Sequence, residues 1–198
     1  MKLFSAGASP FARKVLACAI LRGVDGAIET IQTDPHASPA GLLAVNPLSK
    51  IPALLLDDGR AVFDSPVICE YLDTLGSGPA IFPPLGSEAR LTAQIRQALA
   101  DGIMDAAVAR RGHSAAPQDE ARAAFVARQK AVMERGLAAL EADPPAGLAD
   151  IGAVAAACAL GYLDFRFGHE PWREAHPRLA AWFAEVSALP ALSRTAPG

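Results

Sequence analysis

The segment at residues 2–23, KLFSAGASPFARKVLACAILRG, predicts a short strand that is followed at once by a helix with clear ends. The strand covers Lys2–Ser5, and Ser9 is a favoured N-cap for the helix behind it. Pro10 suits the first helical position, and Gly23 ends the last turn. Apolar residues recur at helical spacing along this segment, at Phe11, Val15, Cys18 and Leu21. The chain therefore begins with a β–α unit whose helix buries one face.

The residues that follow predict a small mixed sheet. Residues 28–33 form a β-branched run that is typical of a strand. After a proline-rich loop, residues 53–56 and 61–63 flank an Asp-Gly pair, which is a strong signal for a hairpin. A helix is then predicted to begin at Ser65, as its N-cap, with Pro66 next. The order strand, helix, strand, hairpin, helix is that of a thioredoxin-like domain.

The prolines divide the chain into two parts. Eight of the 16 lie between Pro35 and Pro84, whereas residues 85–143 contain only Pro117. Because proline interrupts helices, the first part has frequent turns and the second can hold long helices. We predict an α+β protein with an N-terminal thioredoxin-like domain at residues 1–78, a linker at 79–87 and an all-α helical bundle at 88–198. The bundle helices are predicted at residues 88–111, 118–142, 150–167 and 177–187. The third, rich in Ala and Gly, is expected at the crowded centre.

The composition excludes several functional classes. The 198 residues carry 18 Lys and Arg against 21 Asp and Glu, without a basic run, so no nucleic-acid partner is expected. The longest charge-free apolar stretch, residues 151–163, is shorter than the ~18 residues that suggest a membrane span. The N-terminus lacks a secretory pattern, and no His or Cys spacing resembles a metal site. Cys18, Cys69 and Cys158 suit small buried side chains in a reducing compartment, so a cytoplasmic protein is expected.

Chemistry is predicted first at Ser9-Pro10-Phe11-Ala12, which stands directly after the first strand at the start of the first helix. Thiol oxidoreductases place Cys-Pro-aromatic-Cys at this location, because free N–H groups and the helix dipole stabilise a thiolate there. Here other residues fill both cysteine positions, so the chain has no thiol of its own for disulfide exchange. The site can still favour a thiolate that a ligand supplies. The alternative is that Ser9 only caps the helix.

Two further segments predict a binding site. Pro52 stands directly before a strand, where a cis bond after Ile51 would turn the preceding backbone groups outward; an ordinary trans proline is the alternative. Asp64 and Ser65 bring a carboxylate, a hydroxyl and helix N–H groups to one point. Those groups suit the ammonium and the carboxylate of an amino acid, although the segment taken alone is also a helix cap.

In this order, and followed by a linker and helices, the three segments resemble the cytosolic glutathione S-transferases over nearly the whole chain. Ser9-Pro10-Phe11 resembles the serine-type classes, such as tau and zeta, and their short bacterial relatives. It is also similar to the omega class with serine in place of its cysteine. The resemblance implies a transferase that uses glutathione as co-substrate, needs no metal and attacks a small, partly apolar electrophile. It also implies a homodimer that acts in detoxification.

The resemblance assigns the residues around the glutathione sulfur. Ser9 would donate its hydroxyl to the sulfur, and Arg13, one turn further along the helix, would add its field. Ile51 would pair its backbone with the cysteinyl part of the tripeptide. Lys50 would meet the glycine carboxylate.

The resemblance also assigns acidic residues to the γ-glutamyl end. Asp64 and Ser65 would hold this group, although the family more often has Glu at the position of Asp64. Asp101 or Asp105, on the first long helix, would reach the γ-glutamyl amine across a dimer interface. Asp150, which opens the central helix, is expected to be structural.

The second substrate is less well specified. Four residues are expected by position to border its pocket: Phe11, Met104, Val108 and Arg111. They predict a pocket with an apolar wall and one contact, from Arg111, for an anionic group of the substrate. Two other functions remain open, a glutathione-binding or regulatory protein without turnover and a glutathione-dependent reductase. The absence of cysteine at position 9 argues against the reductase.

Overall fold

The first 75 residues form a four-stranded sheet with helices on both faces, in a computed structural model that describes residues 1–117 and 119–197. The elements are, in order, β1 (Lys2–Ser5), α1 (Pro10–Arg22), β2 (Glu29–Gln32), α2 (Ala40–Val45), β3 (Ala53–Leu55), β4 (Ala61–Val62) and α3 (Ser65–Leu75). The strand order is β2-β1-β3-β4, in which β1 is parallel to β2 and antiparallel to β3. The predicted thioredoxin-like domain is confirmed.

Alternating side chains of the sheet build two separate cores. Leu3 and Leu54 point to one face, where they pack with α1 and α3. Phe4 and Ala53 point to the other face, where they pack with α2. The sequence analysis missed α2 and treated its residues as loop. A six-residue helix has little stability of its own, so only the packing of its apolar residues on the sheet holds it.

Both long helices of this domain begin close to their predicted positions. The N–H of Ala12 donates to the Ser9 hydroxyl oxygen at 3.2 Å, and Gly23 closes α1 with φ 71°. These are the caps that the sequence predicts. The start of α3 differs by one residue, because Asp64 is its N-cap and Ser65 its first helical residue. The hydroxyl of Ser65 is therefore not needed to cap the helix.

The rest of the chain is helical, as predicted. The helices are α4 (Glu88–Ser114), α5 (Glu120–Ala142), α6 (Ile151–Phe167), α7 (Pro177–Ser187) and a short α8 (Pro190–Ser193) that was not predicted. The predicted start of the second helix at Gln118, and the final residue Gly198, lie outside the described residues. Residues 76–87 contain neither helix nor strand. The domain boundaries at residues 78 and 88 stay a prediction.

The central position of α6 is confirmed. Its residues 151–163 are all buried, and it packs against both α4 and α1. Asp150 caps it, accepting a hydrogen bond from the N–H of Ala153 at 2.9 Å. A Cβ on Gly152 would lie 2.6 Å from the carbonyl oxygen of Ala93, so glycine is needed where α6 meets α4. Among the helices of the described residues, none has the length and apolar character to cross a bilayer.

Candidate active site

A cleft of about 950 Å³ opens between the sheet domain and the helical domain. Its sheet-side wall is formed by the start of α1, by the loop after β2 and by the loop before β3. Its other wall is formed by α4 and α6. Seven of its lining residues were predicted to take part in binding or catalysis: Ser9, Phe11, Lys50, Ile51, Asp105, Val108 and Arg111.

Ser9 occupies the junction between the cleft and the N-terminus of α1. Its side-chain oxygen accepts the hydrogen bond of the helix cap, which leaves the hydroxyl proton free to donate. Its own N–H donates to the carbonyl of Ala6 at 2.9 Å, which fixes the backbone ahead of the helix. The positive end of the α1 dipole adds to the field at this point. A partly exposed hydroxyl at a helix start is suited to stabilise an anion such as a thiolate.

Ile51 and Lys50 lie on the loop before β3. The Ile51–Pro52 bond is cis, the first of the two alternatives left by the sequence. Within the described chain, the N–H and the carbonyl of Ile51 have no backbone partner, so both are available to an extended ligand. Asn46 holds this loop in place, because its side-chain amide donates to the carbonyl of Lys50 at 2.8 Å. The ammonium of Lys50 remains exposed.

Asp64 and Ser65 lie outside the lining of the cleft, next to its α4 wall. Asp64 is exposed, whereas Ser65 is almost completely buried. The Asp64 carboxylate is close enough to Asp105 to help raise the pKa of that carboxyl, for which burial is the larger cause. Because Asp105 lines the cleft, the two acids extend the negative charge from the α4 wall to the start of α3.

Asp101 has a partner in its own chain. Both of its carboxylate oxygens accept from the ammonium of Lys14, at 2.6 and 2.8 Å. It does not line the cleft, whereas Asp105, one turn further along α4, does. Of the two α4 acids suggested by the sequence, Asp105 is the one that faces the cleft.

The predicted pocket for the second substrate is corrected in two ways. Met104 is fully buried in the main core and does not reach the cleft. Tyr162 and Arg166 of α6 do line it, and the sequence analysis missed both. Their spacing of four residues puts them on one face of α6, and this was the only signal available. Phe11, Val108 and Arg111 line the cleft in the expected positions.

Arg13 is buried beside the helices and does not line the main cleft. Its guanidinium donates to the carbonyl of Leu192 at 3.1 Å and lies against Gly161 of α6. With Ser9 and Tyr162 it borders a smaller recess. Its contact residues belong to the C-terminal segment and the helical core, so direct contact with a ligand in the main cleft is not expected.

The cleft offers several hydrogen-bond donors, among them Ser9, Lys50, Arg111, Tyr162 and Arg166. No group of three or more His, Cys, Asp or Glu side chains among residues 1–117 and 119–197 is placed to hold a metal ion. Burial raises the pKa of the Tyr162 hydroxyl, so this group stays protonated at neutral pH and acts as a donor. The donor groups suit an anionic nucleophile at Ser9 and a second ligand against the helical wall.

Comparisons with known proteins agree with this geometry. A model of the glutathione S-transferase N-terminal domain matches residues 8–75, and a model of the C-terminal domain of the same family matches residues 123–185. The uncharacterized GST-like protein YibF of Escherichia coli (strain K12) is 33% identical over 204 residues, covering 100% of this chain and 98% of that protein.

Solved structures are similar over the same length. A glutathione transferase family member from Pseudomonas fluorescens Pf-5, with bound glutathione, is 40% identical, with a TM-score of 0.90 over 100% of this chain and 98% of that one. A second crystal structure from that organism, with bound S-(propanoic acid)-glutathione, is 40% identical, with a TM-score of 0.85 over 100% and 99% of the two chains.

Proposed function

Because this chain belongs to the glutathione S-transferase family, we propose that it activates the thiol of glutathione and transfers the tripeptide to a small electrophile. The observation that carries the proposal is Ser9, whose hydroxyl lies in the cleft with its proton free and its oxygen already used by the helix cap. The bound ligands of the Pseudomonas fluorescens relative, glutathione and S-(propanoic acid)-glutathione, support a cleft that takes glutathione and its S-conjugates.

The chemical step is a displacement or an addition at carbon by the glutathione sulfur. The thiol first loses its proton to solvent, and the hydroxyl of Ser9 donates to the thiolate. With an aryl halide as the acceptor, a sulfur lone pair forms the new S–C bond, and the halide leaves with the electron pair of the carbon–halogen bond. This chain holds the sulfur and stabilises its charge.

The magnitudes suit this role for Ser9. The pKa of a thiol, about 8.5, must fall by roughly two units for the thiol to be mostly ionised at neutral pH. A shift of that size corresponds to about 2.7 kcal/mol. A hydrogen bond to a charged group supplies about 1.5 to 3 kcal/mol, and a helix N-terminus about 0.3 to 1 kcal/mol. The hydroxyl and the start of α1 are together sufficient, without a contact from Arg13.

The rest of the tripeptide is proposed to lie along the sheet-side wall. The free backbone groups of Ile51 pair with the cysteinyl residue, and Lys50 meets the glycine carboxylate. Asp64 and Ser65 hold the γ-glutamyl group at the start of α3, where the Ser65 hydroxyl is not used as the helix cap. Asp105 is proposed to balance the γ-glutamyl ammonium within the same chain, because Asp101 is already paired with Lys14.

We propose a serine-type enzyme that forms a homodimer. Three exposed apolar residues, Val67 of α3 with Leu91 and Ile95 of α4, define what we call the α3–α4 patch. The two helices are joined beside it by the ion pair of Glu70 and Arg90. A second copy of the chain would cover this patch. The three free thiols suit a reducing compartment, which supports a cytoplasmic location.

The test of the function is conjugation of glutathione to a generic aryl halide by wild type, Ser9→Ala, Ser9→Gly and Ser9→Thr. Turnover and a lowered pKa of bound glutathione are expected for wild type and in part for Ser9→Thr, whereas Ser9→Ala and Ser9→Gly should lose both. Because glycine is nearly as good a cap as serine, Ser9→Gly separates loss of the hydroxyl from loss of helix stability. Unchanged kinetics and thiol titration in both would refute the role of Ser9. Retention on glutathione resin without turnover by wild type would indicate a binding protein.

A further inference from the structure

Two arginines on the helical wall of the cleft have no acidic partner among residues 1–117 and 119–197. Arg111 of α4 and Arg166 of α6 both line the cleft. Neither forms an ion pair with a carboxylate in the part of the chain that the structure describes. Two nearby arginines do have acidic partners: Arg110 pairs with Glu170, and Arg173 pairs with Asp164 at 2.6 Å. Among the described residues of α4 and α6, the arginines without a carboxylate partner are thus the two that line the cleft.

Tyr162 lies with the same two arginines. It is about one turn before Arg166 on α6, and its side chain is only 5% exposed although it lines the cleft. Both Arg166 and Arg111 are near enough to oppose the rise that burial causes in the pKa of its hydroxyl. Both arginines therefore lie within electrostatic range of the Tyr162 hydroxyl on the helical wall of the cleft. Together they offer two guanidinium groups and one hydroxyl, all of them donors.

The acidic side chains of the cleft are placed differently. Asp105 is associated electrostatically with Lys50, and Asp34 belongs to the loop after β2. Neither belongs to the group formed by Arg111, Tyr162 and Arg166. A ligand that reaches this group therefore meets positive charge and hydrogen-bond donors, with the apolar side chains of Phe11 and Val108 elsewhere in the same cleft.

We propose that the electrophile carries a carboxylate, which Arg111, Arg166 and Tyr162 bind while its carbon chain lies against Phe11 and Val108. This inference rests on the proposed function, because it names the substrate class of the same site. Guanidinium groups favour carboxylates through paired N–H donors, and a buried tyrosine hydroxyl adds a third donor. The acceptors that fit are short halogenated acids and similar anionic electrophiles.

Glutathione and such an acceptor react without any further oxidant, reductant or co-substrate. With 3-bromopropanoate, the glutathione sulfur forms a bond to the carbon that bears bromine, and bromide leaves with the electron pair of that bond. The thiol proton passes to solvent. The carboxylate is unchanged and remains bound to the arginines in the product, S-(2-carboxyethyl)glutathione.

The test compares three ligands by titration calorimetry: glutathione, S-propylglutathione and S-(2-carboxyethyl)glutathione. The last two have the same chain length and differ in the carboxylate. Wild type should bind the carboxyethyl conjugate about tenfold more tightly than the propyl conjugate, and should turn over 3-bromopropanoate faster than 3-bromopropanamide. In Arg111→Met and Arg166→Met this preference should fall to near one, with affinity for S-propylglutathione retained.

Arg60→Met is the matched control, because Arg60 is exposed on the β3–β4 turn and lies outside the cleft. It should keep the full preference, which excludes an effect of net charge alone. Equal affinity of wild type for the two conjugates would overturn the inference and leave the proposed function intact. Equal losses for both conjugates in the arginine variants would also overturn it, since the arginines would then hold the glycine carboxylate of glutathione. Failure of glutathione itself to bind would refute the proposed function.

Discussion

The ammonium of Lys14 lies 2.6 Å from one carboxylate oxygen of Asp101 and 2.8 Å from the other, joining α1 of the sheet domain to α4 of the helical domain. Lys14 is completely buried, and Asp101 is mostly so. Burial raises the pKa of Asp101 even though Lys14 lowers it, so the attraction does not fully offset the loss of solvation. We infer that the pair selects which faces of the two helices meet more than it stabilises them.

Breaking this ion pair from one side should therefore be costly. Asp101→Asn leaves the Lys14 ammonium buried without a counter-charge and should lower the free energy of unfolding by about 3 kcal/mol. Lys14→Met should cost less, because the Asp101 side chain keeps some contact with solvent. The double variant Lys14→Met/Asp101→Leu should recover most of the loss, as measured by urea unfolding. Additive losses in the double variant would show that the two residues do not act as a pair.

Asp105 should weaken the fold at neutral pH and support binding. Although Asp105 is exposed at the cleft wall, its pKa is raised by partial desolvation and by Asp64, which outweigh the opposing Lys50 and Lys14. A raised folded-state pKa gives a contribution to stability that is fully present below the ordinary carboxyl pKa and is lost as pH rises through the folded-state value. Asp105→Asn should therefore be more stable than wild type at neutral pH, with the difference vanishing in acid, and should bind glutathione more weakly.

Asp58 is the control for Asp105, because its pKa is shifted in the opposite direction. Hydrogen bonds from the backbone and side chain of Arg60 lower its pKa, so its contribution is present at neutral pH and is lost as pH falls through the folded-state value. Asp58→Asn should be less stable than wild type at neutral pH and unchanged in its affinity for glutathione. If the two variants shift stability in the same direction, the assigned charge environments are wrong.

Gly161 should be needed to seat the C-terminal segment. A Cβ at this position would lie 2.0 Å from an Nη atom of Arg13, whose other Nη atom binds the carbonyl of Leu192. Gly161→Ala should displace Arg13 and cost about 1 to 3 kcal/mol through overpacking. Hydrogen exchange should then rise in residues 189–197. Gly102→Ala is the control, because nothing lies within 4 Å of a Cβ there and alanine should stabilise α4 by about 0.5 to 1 kcal/mol.

The three cysteines should be unreactive in the native protein. Cys18, Cys69 and Cys158 are free and buried, and burial raises the pKa of Cys158 to about 12. At neutral pH, a thiol reagent should label none of them before unfolding and all three in denaturant. Ser9→Cys should add one thiol that labels in the native state, because it lies in the cleft at a helix start. Labelling of native wild type would contradict the burial of the cysteines.

The α3–α4 patch should control the oligomeric state. Its residues Val67, Leu91 and Ile95 are 51%, 53% and 60% exposed in the single chain. Ile95→Glu places a charge in the proposed interface and should shift the protein from dimer to monomer in light scattering. Leu85→Glu changes an even more exposed residue that is not part of the patch and should leave the mass unchanged. A monomeric wild type would exclude this interface.

The sequence predicted a helix end or a turn correctly where neighbouring residues determine it. The Ser9 cap, the Gly23 stop and the Asp-Gly turn each depend on residues within one turn of chain, and the structure contains all three. The helix α2 was missed because residues far away in the sequence stabilise it. Leu42 and Val45 are held by Phe4 and Ala53 of the sheet. The Ala and Leu residues of α2 favour a helix, but six residues without a side-chain cap are too few to form one alone.

By itself, the sequence determined the α+β order and placed Ser9 at the start of a helix, since both follow from caps and periodicity. Only the tertiary structure decided which side chains reach the cleft. Met104, Val108 and Arg111 share one stripe of α4 by spacing, yet Met104 is buried in the core while the other two face the cleft. Periodicity gives the direction of a side chain around its helix, but how deeply that helix is covered depends on neighbours distant in the sequence. The same packing places Arg166 and Arg111 on one wall of the cleft and pairs Lys14 with Asp101.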